Sequence, residues 1–211
     1  MQQQIQQRTQ SFTLLSRAEV LSKQWQQKQA TSVALLTSMN NILAQHEASN
    51  DAAALIAQFK LDPAQLAYKQ SLALEECITQ LYKLMESWQE LVAEWQHLEH
   101  DANKYWTKTL TVPSPQGPWP LSNEALIQVT AVRPQDTYDY ISRLYTMYKS
   151  EYHYKKTLMQ QLSQFLTRIS DFDDFTERWT AQPHLHPNLP ADISERIKLY
   201  KTVKKVVESV D

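Results

Sequence analysis

A single glycine, Gly117, is the feature that most limits what this chain of 211 residues can fold into. Average proteins contain about 7% glycine. Glycine supplies the unusual backbone angles of tight hairpin turns and lets phosphate-binding loops approach their ligands closely. Good helix formers such as Leu, Gln, Ala, Lys and Glu dominate the rest of the chain. The sequence therefore predicts an all-α fold and argues against an enzyme that binds nucleotides through a glycine loop.

The clearest periodic signal lies between residues 74 and 105. Apolar residues there recur at alternating steps of three and four, which is the spacing of a coiled-coil seam. We expect another helix earlier in the chain, over about residues 11–46. The polar residues 26–29 interrupt its apolar edge and predict either a polar layer or a local break. Because tryptophans are bulky for a two-stranded parallel coil, the seam favours a bundle or an antiparallel hairpin. Its central residues are Leu81, Leu84, Trp88, Leu91, Trp95 and Leu98.

Composition changes between residues 111 and 135, where five prolines lie. Proline interrupts a helix because it lacks the amide hydrogen and its ring clashes with the preceding turn. The sequence thus predicts three parts: an N-terminal coiled-coil hairpin over residues 1–110, a proline-rich linker over 111–135, and a C-terminal helical docking region over 136–211. We expect the linker to be mobile or draped on the surface.

The docking region begins with a tyrosine-rich helix whose rings exceed what one helix edge can bury. Rings with a polar tip tolerate water and suit a partner surface. Lys155 falls within the apolar three-and-four pattern of this helix, yet Glu151 lies four residues before it, which is the spacing of an exposed ion pair. We expect Tyr148 and Trp179 to anchor a partner. The predicted partner-binding residues are Tyr148, Glu151, Lys155, Trp179 and Pro183.

Charge and motifs give little sign of chemistry. The formal net charge of −2 predicts no direct binding of nucleic acid, although Lys201, Lys204 and Lys205 leave room for a local basic patch. Two histidine pairs lack a third converging ligand, so we expect no metal and no cofactor. No catalytic constellation is evident, and we expect no enzyme activity. The lone Cys77 suits a reducing compartment, and we expect a soluble intracellular protein without a membrane partner.

One ordered set of residues in the C-terminal part resembles a known family. These residues are Leu144, Met147, Tyr148, Glu151, Lys155, Lys156, Thr157, Leu162, Trp179, Gln182 and Pro183. Their order resembles that of the cyclin-dependent kinase 2-interacting protein family. This resemblance implies a non-enzymatic adaptor in the nucleus, with the cytoplasm as a second compartment. Its implied partners are a helical subunit, an AAA+ ATPase complex of the segregase type, cyclin-dependent kinase 2, and replication or checkpoint kinases. The implied roles are DNA replication, checkpoint signalling and ribosome maturation.

The helices alone also fit a second class of protein. Long coiled-coil arms are typical of structural subunits in cytoskeletal, tethering or kinetochore-type complexes. Such a subunit would have no active site either. The identity of the captured partners separates this alternative from the adaptor.

Overall fold

A computed structural model of the chain describes residues 2–52, 62–110 and 123–209. These residues form helices and no strands, so the expected all-α fold is confirmed for them. Two helices are very long. The six helices of the described residues are α1 (Gln2–Asp51), α2 (Pro63–Leu110), α3 (Asn123–Thr130), α4 (Pro134–Phe165), α5 (Ile169–Ala181) and α6 (Asn188–Glu208).

The described residues form two compact units that do not follow chain order. Unit 1 comprises Met1–Gln24, Leu91–Ser150 and His184–Asp211, and unit 2 comprises Trp25–Glu90 and Glu151–Pro183. Each unit combines residues from before position 110 with residues from after position 136. The expected N-terminal hairpin and C-terminal docking region are therefore packed together within each unit rather than folded apart.

In unit 1, the first part of α1 runs antiparallel to the last part of α2. The Ser11 and Tyr105 hydroxyls are 3.0 Å apart, and the Tyr105 hydroxyl donates to the Gln7 carbonyl at 2.7 Å. Six residues further along α1, Arg17 lies 3.4 Å from Asp101. Residue numbers thus increase along α1 while those of the contacting residues on α2 decrease, as antiparallel helices require.

In unit 2, the later part of α1 and the first part of α2 pair in the same antiparallel sense. Lys28 donates to Ser87, while His46 lies 3.1 Å from the Gln70 side-chain oxygen. The start of α2 is capped by Asp62, whose side chain accepts a hydrogen bond from the Ala64 amide at 3.0 Å.

The polar run at residues 26–29 does not break α1, which is helical throughout its length. Gln29 is buried instead, and one turn later Ser32 is buried as well. The Ser32 hydroxyl donates to the Gln29 carbonyl at 2.7 Å. Of the two alternatives for this run, the structure shows the polar layer.

The proline-rich segment is more ordered than its composition predicts. Its residues 123–130 form α3, which packs on α6 and buries Ile127 to 3% exposure. An amphipathic turn of helix fits here because the prolines cluster before and after it, leaving residues 123–130 free of them. Within the expected linker of residues 111–135, residues 123–130 are therefore helical. Residues 111–122 lie outside the described residues.

Leu91 offers a direct test of the buried edge of α2. Its side chain is 2% exposed, whereas Ala93, two residues later, is exposed. Leu91→Asp should destabilise the fold by several kcal/mol because it places an unpaired charge in packed surroundings. Ala93→Asp adds the same charge where water reaches it and is the matched control. Thermal melting followed by circular dichroism checks this; an unchanged midpoint for Leu91→Asp would contradict it.

Candidate functional site

The most unusual feature of unit 2 is a lysine that is buried in its core. Lys155 on α4 is fully buried, and its Nζ donates to the Trp179 carbonyl of α5 at 2.8 Å. Glu151, one turn earlier and also fully buried, places Oε1 3.6 Å from this ammonium. The ammonium lies 4.3 Å from the centroid of the Trp179 ring and 5.5 Å from that of Trp88. One cation is thus held by a carbonyl, a carboxylate and two aromatic faces.

Burial changes the acid–base behaviour of this lysine. Removal from water lowers the pKa of Lys155 to about 8 from its ordinary 10.5, and the Glu151 carboxylate partly opposes that shift. The direction shows that loss of hydration outweighs the attraction of the carboxylate. Lys155 is therefore close to its titration range at physiological pH, in contrast to an exposed lysine.

Aromatic rings surround the lysine and connect three helices. Trp25 of α1 contacts Trp88 of α2 with ring centroids 5.5 Å apart, and Trp88 contacts Trp179 at 5.8 Å. Phe175 extends the series at 5.7 Å from Trp179. Each of these four rings is at most 1% exposed. Ring pairs at such distances add stability beyond their buried area.

Polar side chains fix the orientation of two of these rings. The Trp179 indole donates to the Ser32 hydroxyl at 2.9 Å, and the Trp25 indole donates to the Gln182 side-chain oxygen at 3.1 Å. Buried indole groups need such partners because an unmet donor is costly in a dry core. Ser32, in the polar layer of α1, therefore helps to position α5 through its hydrogen bond with Trp179.

Both ends of α5 are specified by contacts far away in the sequence. At its start, the Glu47 carboxylate accepts a hydrogen bond from the Ile169 amide at 3.2 Å, where a negative charge also favours the helix dipole. At its end, Gln182 has a φ of 44°, in the left-handed region that usually requires glycine. The hydrogen bond from Trp25 helps to offset the cost of that conformation.

The structure places most of the predicted partner-binding residues inside the protein. Glu151, Lys155 and Trp179 lie in the core of unit 2, and Tyr148 lies in the core of unit 1. Tyr148 stacks on Trp95 with ring centroids 5.0 Å apart, and burial raises the pKa of its hydroxyl. Pro183 is exposed. Four of these five side chains are covered by their own chain, and the expectation of an exposed Glu151–Lys155 pair is wrong.

The predicted seam residues line the buried side of α2. Leu84 is half-buried, and the others are at most 2% exposed: Leu81, Trp88, Leu91, Trp95 and Leu98. In unit 2, Trp88 contacts the lysine and its rings, and in unit 1, Trp95 contacts Tyr148. The seam is thus where α2 meets the tyrosine-rich helix.

Exposed apolar side chains on the opposite side of α2 form a surface that the sequence analysis missed. Tyr68, Leu72 and Tyr82 are 64%, 46% and 52% exposed. At 3.6 residues per turn they fall within about 80° of the helix circumference, together with Glu75 and Glu86. We call these five residues the outer stripe. Their spacing could have revealed it, since Tyr68, Leu72 and Tyr82 recur out of phase with the seam.

The fold and these sites define an all-α scaffold whose charged cluster is enclosed and whose outer stripe is open. Within the residues described, no three His, Cys, Asp or Glu side chains are grouped to hold a metal. The same residues contain no helix long and apolar enough to cross a membrane.

Comparison with known families identifies the chain further. Residues 3–198 match the family described as ribosome biogenesis protein C1orf109-like. Since the match spans most of the sequence, the chain belongs to this family. No curated protein and no solved structure matches it. The resemblance to the cyclin-dependent kinase 2-interacting protein family is therefore wrong, because the match is to a different family over nearly the whole chain.

The depressed pKa of Lys155 predicts how stability depends on pH. Between about 8, its value in the folded chain, and its ordinary 10.5, the unfolded chain binds more protons than the folded one. Lys155 alone should therefore raise the free energy of unfolding by about 2 kcal/mol from pH 8 to pH 10. Burial raises the pKa of the Cys77 thiol and of the Tyr105, Tyr148 and Tyr152 hydroxyls, and the unfolded chain loses those protons first. The total rise should therefore be smaller and should reverse near pH 10.

Urea denaturation at constant ionic strength measures this dependence. The double variant Glu151→Gln/Lys155→Met removes both buried charges and should lose the rise between pH 8 and 10. Lys156→Met changes the exposed neighbouring lysine and should keep it. A rise of equal size in the double variant would show that Lys155 is not its source.

Proposed function

We propose that this protein is a non-enzymatic adaptor of ribosome maturation that works in the nucleus. The family supports the process, since its description is that of a ribosome biogenesis protein. The observation that carries the adaptor role is the outer stripe, where two tyrosines and a leucine stand in water on a long helix. Such rings form the anchors of many protein interfaces because they bury a large area with few rotatable bonds.

The chemistry of the outer stripe defines its partner. Its three apolar residues lie along one edge of α2, so a second helix can pack on them by its own apolar edge. Glu75 and Glu86 lie along the same edge, and both are exposed. We propose that a helical subunit with lysine or arginine beside its apolar edge occupies the stripe, since opposite charges select the partner and its register.

The adaptor would act by positioning. In our proposal the helical subunit connects this chain to an AAA+ ATPase assembly, which performs the mechanical work on the maturing ribosome. The buried lysine cluster supports a structural part in this, because its hydrogen bonds join α5 to α4 and to α1 in the unit that carries the stripe. Ordered surfaces bind with less loss of conformational entropy.

Capture from nuclear extract tests the adaptor proposal. The tagged full chain, its Tyr68→Ser/Tyr82→Ser variant and a control variant are compared by quantitative mass spectrometry. Loss of two aromatic anchors, each worth about 2 kcal/mol, should reduce recovery of the helical subunit more than tenfold. The AAA+ ATPase should be lost with it, because it is held through that subunit.

The control is Leu126→Ser/Val129→Ser on α3. These side chains are 54% and 82% exposed, so the control removes as much exposed apolar surface from another helix. Both double variants should keep the wild-type stability to within about 0.5 kcal/mol. Full recovery of the same partners with Tyr68→Ser/Tyr82→Ser would refute the stripe, and captured partners without ribosome assembly factors would refute the adaptor role.

A further inference from the structure

A groove of about 490 Å³ lies in unit 1 beside the start of α1 and the end of α6. Three exposed lysines line it: Lys201, Lys204 and Lys205. They occupy positions i, i+3 and i+4 of α6, which places their charges on one face of that helix. Phe12 of α1 and Tyr200 of α6 form the apolar part of the lining.

The walls of this groove carry charge of one sign. Residues 2–18 and 196–207 contain seven lysines and arginines. The nearest carboxylates in the sequence are those of Glu19, Glu195 and Glu208, of which the first two do not line the groove. The next carboxylate along α1, that of Glu19, lies 3.1 Å from Lys23 and accepts a hydrogen bond from Ser194 at 2.9 Å. The chain as a whole has a formal charge of −2. The concentration of positive charge here is therefore local, and it attracts a polyanion.

Aromatic rings lie directly beside the lysines. The Phe12 and Tyr200 rings are 5.1 Å apart between centroids, and the Lys201 ammonium lies 5.5 Å from the Phe12 centroid. Phe12 is half-buried, so part of its ring faces the groove, whereas Tyr200 is 7% exposed and supports it from behind. A basic groove with an accessible ring is the arrangement that binds a phosphate backbone and stacks a base.

We propose that this groove binds single-stranded RNA. The three lysines would contact consecutive phosphates, and Phe12 would stack on one base. The choice of RNA over an acidic peptide depends on the proposed function, because ribosome maturation brings the chain to RNA, and on Phe12, because a carboxylate-rich peptide has no ring to stack on it. The proposal departs from the expectation of no direct nucleic-acid contact, which followed from the net charge, and takes up the local basic patch that Lys201, Lys204 and Lys205 left open.

Fluorescence anisotropy with a labelled 12-nucleotide uridine RNA tests the proposal on the full chain. We expect saturable binding in 50 mM salt. As the salt concentration is raised, the logarithm of the binding constant should fall against the logarithm of the salt concentration with a slope of about −2, as roughly three phosphate contacts require. Lys201→Gln/Lys204→Gln/Lys205→Gln should weaken binding at least tenfold and flatten the slope. Phe12→Leu should weaken RNA binding about fivefold or more while leaving the salt slope unchanged.

The matched control is Lys69→Gln/Lys83→Gln/Lys104→Gln, which removes three exposed lysines from α2 and should bind RNA as the wild type does. Equal loss in both triple variants would show attraction to total charge and overturn the groove. No binding in 50 mM salt, or tighter binding of a polyglutamate peptide than of RNA, would overturn the choice of ligand. The groove variant should still capture the partners of the outer stripe, so failure of the RNA test leaves the adaptor role standing.

Discussion

The packing of unit 2 depends on one buried cation. Lys155 of α4 donates to the backbone of α5 at Trp179, and its charge lies against the rings of Trp88 and Trp179 with Glu151 nearby. A buried ion pair is weak evidence of net stability, since desolvation costs about as much as the attraction returns. Its geometry is nevertheless demanding, because α5 in another register would leave the ammonium in the core without its carbonyl. Lys155 therefore adds a directional bond between α4 and α5 that packing of the apolar rings does not supply.

Polar groups elsewhere in unit 2 also connect its helices. Ser32 accepts a hydrogen bond from the Trp179 indole, and Gln182 accepts one from the Trp25 indole. Glu47 accepts a hydrogen bond from the first amide of α5. Each contact joins α5 or its end to α1. These polar groups of unit 2 thus make hydrogen bonds within the unit. Surfaces that can serve a partner are different ones: the outer stripe of α2 in unit 2 and, in unit 1, the lysine groove.

Local patterns predicted the helices well and the roles of charged residues poorly. The three-and-four spacing around Trp88 and Trp95 identifies the buried side of α2, because apolar periodicity reports burial directly. The same spacing included Lys155, but Glu151 four residues earlier favoured an exposed ion pair. Lys155 is instead buried against Trp88 and Trp179, both of which are more than 20 residues away in the sequence. Gln182 is a similar case: a left-handed helix end predicts glycine, and the glutamine there makes a hydrogen bond with the distant Trp25. The family was identified by a match over residues 3–198, whereas the motifs between residues 144 and 183 pointed to a different family.

The most direct test of this account is the acidity of Lys155 itself. Lysine labelled with ¹³C and ¹⁵N allows its side-chain chemical shifts to be followed by NMR from pH 6 to pH 11, with Lys155→Met assigning the signal. The account predicts a midpoint for Lys155 near 8, well below the ordinary 10.5 that the exposed lysines should approach. A midpoint for Lys155 close to 10.5 would contradict the account, because it would show that loss of hydration does not outweigh the attraction of Glu151 at this ammonium.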